Sequence, residues 1–318
     1  MRAPDRIAAG ASTHQTWVLP LRRHRDLPNH TQIMNSPGRT ATAVVAVLLL
    51  SVAPAACGAD DKPTKTAKST DAASEPLDTV VKVDGDRGLY VRCTGSGSPT
   101  VVMEGGDLDT SDSYAFAEKE IAAKTRTCVY DRAGLGSSDP PPGPRGYKEL
   151  VGDLEALIAA APIPGPYVLV GTSGGGYITA GYAVAHPDEV AGMVFVEVPA
   201  PFKNPPAEIV EETDPNHPEN IEKRDYLQVE KDAWAARKEI GDIPIKVISN
   251  RYSDEEIAES PFPSEQQGMR DNVKAQKGWL VLSPSAEQVV VTTGHAVEEA
   301  DPQLVIDAIL RVVSLSRR

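Results

Sequence analysis

The feature that most constrains this chain is a serine between glycines where an apolar strand meets a helix. Residues 167–170 are apolar, Gly171 and Gly175 flank Ser173 at two positions on either side, and a helix-compatible segment covers 177–182. A turn this sharp leaves little room for side chains, and the serine hydroxyl projects above a helix N-terminus. The pattern predicts a nucleophile elbow with Ser173 as the nucleophile. A structural glycine-rich turn is the alternative, since a chain with 25 glycines contains such matches by chance.

A nucleophilic serine needs a base, and His295 is the candidate. It follows an apolar run at 288–293, which predicts a buried strand, and it precedes a helix opened by Asp301 and Pro302. Neutral imidazole accepts the serine proton and returns it to the leaving group. The other five of the 6 histidines lie in the N-terminal extension, at a helix end or in a polar loop. A capping or packing role is the alternative for His295.

The order serine, acid, histidine is that of the α/β-hydrolase fold. The chain resembles this superfamily in four successive segments: 99–106, the glycine-rich segment 130–138, the elbow, and Gly294-His295. The resemblance covers residues 79–318 and implies one α/β domain, with a mostly parallel sheet and helices on both faces. More narrowly, the chain is similar to actinobacterial-type exported or lipoprotein α/β hydrolases. Thr172 and Gly174 replace the His and the Leu or Met of many relatives, so their acyl preference is not carried over.

Two carboxylates compete for the role of the triad acid. The usual position in this fold is the loop after the strand at 244–248, where Asp254 lies, although Asp254 also begins a predicted helix. The competing position is the end of the preceding strand. Residues 193–196 are continuously apolar and deliver Glu197 to the carboxyl edge of the sheet, where this fold collects its catalytic groups. We favour Glu197 and keep Asp254 as the alternative.

Two backbone amides are predicted to form the oxyanion hole that acyl transfer requires. One is the amide of Gly174, directly after the nucleophile, and the other is that of Gly106, at the end of the segment 101–106.

The segment between 199 and 242 interrupts the sheet pattern with a Pro- and Glu-rich insertion that contains one predicted helix, at 226–240. In this fold such an insertion is a cap. Its few large apolar residues predict a small, mobile lid over a modest acyl or alcohol group.

The N-terminal 78 residues concern export rather than chemistry. Residues 1–33 read as a non-domain extension, 34–57 as a lipoprotein-type signal peptide, and 58–78 as a flexible linker poor in apolar residues. Small residues before Cys57 resemble a lipobox, which predicts lipidation of Cys57 and a membrane lipoprotein facing outward. Plain secretion and an uncleaved anchor are the alternatives. The lipid would be the only link to the membrane.

Cys93 and Cys128 remain if Cys57 is lipidated, since the chain has three cysteines. In an exported protein an even pair predicts a disulfide, and the two strands that carry these cysteines should lie close together in this fold. Two buried free thiols are the alternative.

The charge balance narrows the possible partners. A net charge of −13 argues against nucleic acid and against a polybasic membrane patch, both of which need clustered Lys and Arg. We expect no metal and no organic cofactor.

Together, these features of the sequence predict a serine hydrolase, foremost a carboxylesterase that cleaves a small or medium ester through an acyl-enzyme. An amidase, peptidase or lactonase on the same triad and a catalytically silent binding protein are the alternatives. The oligomeric state is left open.

Overall fold

Continuous apolar runs of the sequence form the central strands of a sheet that is covered on both faces. The computed structural model describes residues 75–318. The predicted extension, the signal peptide with Cys57, and residues 58–74 of the predicted linker lie outside this range. The eight strands are β1 Leu77–Asp84, β2 Arg87–Thr94, β3 Thr100–Glu104, β4 Thr127–Tyr130, β5 Tyr167–Thr172, β6 Val190–Val196, β7 Ile245–Asn250 and β8 Ala286–Val291.

The strands lie in the order β1-β2-β4-β3-β5-β6-β7-β8. The pairs β1/β2 and β2/β4 are antiparallel, and every pair from β4/β3 to β7/β8 is parallel. Every residue of β3, β4 and β5 is buried, as expected for parallel strands between two helical layers. The predicted mostly parallel α/β-hydrolase sheet is therefore confirmed.

Helices cover both faces of this sheet. They are α1 Ala115–Ala122, α2 Tyr147–Ala160, α3 Gly175–Ala185, α4 Ala207–Glu212, α5 Tyr226–Ala236, α6 Asp254–Glu259, α7 Pro263–Gln276, α8 Val297–Ala300 and α9 Pro302–Leu315. Side chains of β3 alternate between two cores: Val102 packs with residues of α2 and α3, whereas Val101 and Met103 pack with residues of α1 and α9. Within residues 75–318, no helix is both long enough and apolar enough to cross a membrane.

Cys93 and Cys128 form a disulfide, as predicted. They lie directly opposite each other on the antiparallel strands β2 and β4, with their Cα atoms 4.1 Å apart. The bond links the antiparallel edge of the sheet to its parallel part.

Four features of the fold differ from the sequence prediction. Strand β1 begins at Leu77, inside the predicted linker, because it pairs with β2. Strand β8 is half-buried rather than buried, because it is the last strand of the sheet. The cap has a second helix, α4, and α5 ends at Ala236 rather than at 240. Arg237 has an extended ψ of 131°, and its Nε donates to the Trp234 carbonyl at 2.7 Å, which ends the helix.

Candidate active site

Ser173 lies at the tight turn between β5 and α3. Its φ of 45° is in the left-handed region, a conformation that costs of order 1–3 kcal/mol in a non-glycine residue. The two flanking glycines allow the turn to close. A Cβ at position 171 would lie 2.5 Å from the Cα of Gly176, and one at position 175 would lie 2.3 Å from the Gly105 carbonyl. The amide of Ser173 donates to the Val196 carbonyl at 2.9 Å, which fixes the turn to β6.

His295 reaches Ser173 from the loop between β8 and α8. Its Nε2 lies 3.0 Å from the Ser173 Oγ, within hydrogen-bond distance. Asn250, the last residue of β7, orders this loop, because its Oδ1 accepts hydrogen bonds from the amides of Thr293 and Gly294. The serine and histidine predicted from the sequence are thus brought together.

Glu197 lies directly after β6, with a left-handed φ of 47° and a fully buried side chain. Its Oε1 lies 3.9 Å from the His295 Nδ1. Four neutral donors surround the carboxylate: the Asn250 amide, the Tyr252 hydroxyl, the Asn272 Nδ2 and the Gln276 Nε2, at 2.6–2.9 Å. A buried carboxylate is costly unless its oxygens accept hydrogen bonds, and these four donors provide such bonds to both oxygens of Glu197.

Asp254, the alternative acid, is the first residue of α6 and its side chain is exposed. The helix start beside it is a capping box in which Ser253 and Glu256 exchange hydrogen bonds. This arrangement is the helix start that the sequence suggested. Of the two competing carboxylates, it is Glu197 that lies beside His295.

The pKa of His295 is raised above its ordinary value. Burial lowers it, but the interaction with Glu197 and the charges of Glu298 and Asp107 outweigh burial. The protonated form of the His295 imidazole is therefore stabilised at this site.

Gly174 and Gly106, the predicted oxyanion donors, both lie next to the nucleophile. Gly174 follows Ser173 at the N-terminus of α3. A Cβ at position 106 would lie 3.5 Å from the Ser173 Cβ. The Gly106 amide, however, donates to the Asp109 Oδ2 at 3.1 Å. Gly106 can serve an oxyanion only after that carboxylate has moved away.

Arg132 and the cap residue Glu222 form a buried network that the sequence analysis did not identify. Arg132 pairs with Glu104 at 2.8 Å and with Glu222 at 2.7 Å, and it donates to the carbonyls of Gly105 and Gly106. Glu104 at the end of the buried strand β3 could have indicated this network, because a buried charge needs a partner of opposite charge. Nothing local marks Glu222 as a member of that network.

Arg224 joins the cap to the site in a similar way. It pairs with Asp107 at 2.6 Å and donates to the Gly174 carbonyl at 3.0 Å. The cap segment that carries Glu222 and Arg224 is therefore bonded to both loops beside Ser173, which contrasts with the expected mobile lid.

A cavity of about 570 Å³ lies over Ser173 and His295. Its walls come from the loop after β3, from α1, from the cap and from α8, and they include the apolar side chains of Phe116, Phe202 and Leu227. This volume is within the range of small-molecule sites. Among residues 75–318, no cluster of three or more metal-ligating side chains is present.

Known proteins resemble the chain in sequence and in structure. The family model for the alpha/beta hydrolase fold matches residues 99–239. An uncharacterised protein of Schizosaccharomyces pombe is 29% identical over an alignment of 154 residues, and the match covers 40% of this chain and 29% of that protein. The chain thus spans less than a third of that relative's length. The protein YqjL of Bacillus subtilis is 25% identical over 213 residues, which are 65% of this chain and 83% of that protein.

Among solved structures, the carboxylesterase CesB of Bacillus subtilis superposes with a TM-score of 0.54 at 15% identity, covering 75% of this chain and 92% of that one. At this identity the likeness concerns the fold. The sheet order, the serine turn and the family match agree with one another. The chain has the α/β-hydrolase fold.

Proposed function

We propose that this protein is a serine hydrolase, foremost a carboxylesterase that cleaves a small or medium ester through an acyl-enzyme. The observation that carries the proposal is the 3.0 Å contact between the Ser173 Oγ and the His295 Nε2, with Glu197 on the other side of the imidazole. This arrangement of nucleophile, base and acid performs acyl transfer in serine hydrolases when oxyanion donors are also present. The structural neighbour CesB of Bacillus subtilis is named a carboxylesterase, which agrees with this proposal.

In the proposed mechanism, Ser173 attacks the ester carbonyl carbon while His295 accepts its proton. The carbonyl oxygen becomes an oxyanion, which the Gly174 amide stabilises together with that of Gly106 once Asp109 has released it. Collapse of this intermediate breaks the bond to the alcohol, which takes the proton from His295. Water activated by His295 then hydrolyses the acyl-enzyme and releases the acid. Glu197 orients the imidazole and stabilises its cation throughout.

A fluorophosphonate probe tests the proposal directly, since it labels an activated serine. We expect labelling of the protein and none of Ser173→Ala. Turnover of short p-nitrophenyl esters should fall by about 10⁴-fold or more in Ser173→Ala and in His295→Ala, because the two residues act as one unit. Circular dichroism and thermal unfolding control for folding of both variants. Near-normal turnover in a folded variant contradicts the mechanism, and an unlabelled protein favours a binding role.

We further propose that the protein is exported and tethered through a lipidated Cys57. The lipobox-like sequence before this residue motivates the proposal, and the disulfide between Cys93 and Cys128 is compatible with an oxidising compartment. Cys57→Ser should move the protein from the membrane pellet to the soluble fraction in a bacterial host that processes lipoproteins. A variant that still pellets with membranes contradicts the tether.

A further inference from the structure

The walls of the cavity over Ser173 carry an unusual excess of negative charge. Six carboxylates line it: Asp107, Asp109, Asp112, Glu230, Glu298 and Glu299. No Lys or Arg side chain of the described range 75–318 is among the lining residues. A cavity with this charge repels anionic substrates and attracts cations. Charge alone does not define a binding site, and the six carboxylates differ in their partners.

Burial raises the pKa of two of these six carboxyl groups, Glu230 and Glu298. The charge of His295 acts on Glu298, whereas Glu230 lies on the cap helix α5. Asp107 is neutralised by Arg224, and Asp112 is exposed beside Arg92. Glu230 forms no salt bridge within the described part of the chain. Leu227, which lies on the same helix α5, adds an apolar side chain to the cavity wall. Burial, together with the nearby carboxylate of Asp107, raises the pKa of Glu230 to about 8. A hydrogen bond from the Phe202 backbone and the charge of Arg224 offset only part of this effect, so a cation or a proton that joins the carboxylate is favoured.

Tyr226 provides a second, independent observation. It lies one helical turn before Glu230 on α5, so the two side chains share a face of that helix. The Tyr226 side chain lines the cavity and is only 2% exposed, and its hydroxyl has no hydrogen-bond partner within residues 75–318. Leaving a buried hydroxyl unpaired is unfavourable, because the group has lost its water without gaining a partner. Burial also raises the pKa of Tyr226, so the hydroxyl stays neutral.

We propose that Glu230 and Tyr226 form a subsite for the protonated amine of the substrate, so that the preferred esters carry an ammonium group in their acyl or alcohol part. This inference rests on the proposed esterase function. The Glu230 carboxylate supplies the countercharge, and the Tyr226 oxygen accepts a second hydrogen bond from the ammonium N–H. Arg224, whose guanidinium lies 5.0 Å from the centre of the Tyr226 ring, does not repel such a ligand strongly because Asp107 neutralises it.

The kinetic test compares isosteric esters that differ in charge. One pair places the charge in the acyl part: p-nitrophenyl 4-(dimethylamino)butanoate and p-nitrophenyl 5-methylhexanoate. A second pair places it in the alcohol: the acetates of 3-(dimethylamino)propanol and 4-methylpentanol. Each rate is divided by that of uncatalysed hydrolysis. We expect the protein to prefer the cationic member of at least one pair in kcat/KM.

Three variants on α5 assign the preference to residues. Glu230→Gln should reduce the cationic-to-neutral ratio by about 10- to 100-fold, chiefly through KM, because the ammonium loses the negative charge of its hydrogen-bond acceptor. Tyr226→Phe should reduce the same ratio less, by about 3- to 10-fold, and keeps the proposal testable if Glu230→Gln does not fold. Asp232→Asn is the matched control, since it removes one charge from an exposed position of the same helix. An unchanged ratio in Glu230→Gln, or an equal loss in Asp232→Asn, overturns the proposal.

A binding experiment separates this inference from the proposed chemistry. Calorimetric titration of Ser173→Ala with hexylammonium and with 1-hexanol needs no turnover. We expect tighter binding of hexylammonium, and loss of this difference in Ser173→Ala/Glu230→Gln. If the difference is present but no ester is cleaved by the intact protein, the subsite stands and the esterase function fails. If neutral esters are cleaved and hexylammonium binds no better than 1-hexanol, the subsite is wrong.

Discussion

Replacing Glu197 by Gln is the sharpest test of the candidate triad, because the change removes charge with almost no change in shape. Four donors face the carboxylate, two at Oε1 and two at Oε2. A Gln amide keeps one acceptor oxygen and turns its NH₂ group toward the other two donors. Each donor left without an acceptor costs about 1–3 kcal/mol, so the free energy of unfolding should fall by about 2–6 kcal/mol.

The effect of Glu197→Gln on catalysis should be larger than its effect on stability. The neutral amide no longer stabilises the imidazolium, and with NH₂ at the Oε1 position it favours the wrong tautomer of His295. Loss of the acid's charge in such triads costs about 10⁴-fold in kcat. We therefore expect a loss of about 10³- to 10⁴-fold in turnover of p-nitrophenyl esters below the unfolding temperature of the variant.

Asp254→Asn is the matched control for Glu197→Gln. Asp254 is exposed at the start of α6, so its amide variant should keep both stability and turnover. Urea unfolding and ester turnover are measured on the same preparations. A large loss of turnover in Asp254→Asn with little change in Glu197→Gln would refute the assignment of the acid.

Three further predictions concern titration, the disulfide and the oxyanion loop. Since the pKa of His295 is raised and only neutral imidazole accepts the serine proton, kcat/KM should fall on acidification with a midpoint above 6.5, and a pH–rate profile with a lower midpoint contradicts this. Replacing Cys93 and Cys128 by Ala should lower the free energy of unfolding in urea by about 4 kcal/mol, since the disulfide closes a loop of 35 residues; a decrease below about 1 kcal/mol contradicts this stabilisation. Asp109→Ala should raise kcat, because it frees the Gly106 amide for the oxyanion; an unchanged or lower kcat in a folded variant removes Gly106 from the mechanism.

Sequence reasoning succeeds where local signals place a residue at the edge of the sheet. The glycines around Ser173 predict the turn, because only glycine fits where a Cβ would lie 2.5 Å from another backbone atom. His295 follows from its position after a strand. Glu197 follows from the length of an apolar run, since a buried parallel strand delivers its next residue to the carboxyl edge.

The environment of Glu197 could not be read in the same way. Its side-chain and backbone donors lie 53 to 79 positions away in sequence, on β7, on α7 and in the loop after β7. Pairing over such distances depends on tertiary packing, for which a sequence pattern of helices and strands carries no signal. The six-residue helix α4 also lacks a local signal in the sequence, because it has no side-chain cap at its start.

In the proposed mechanism, the buried arginines give the cap a role in catalysis as well as in substrate choice. Arg132 holds the carbonyls of Gly105 and Gly106 and is itself held by Glu222 of the cap, while the cap residue Arg224 holds the Gly174 carbonyl. Both predicted oxyanion amides therefore belong to loops that the cap restrains. Removing one partner of a buried pair leaves an uncompensated charge, so the remaining group would reorganise. A change in the cap should then alter kcat together with KM, because the segment that contacts the substrate also sets the position of the oxyanion donors.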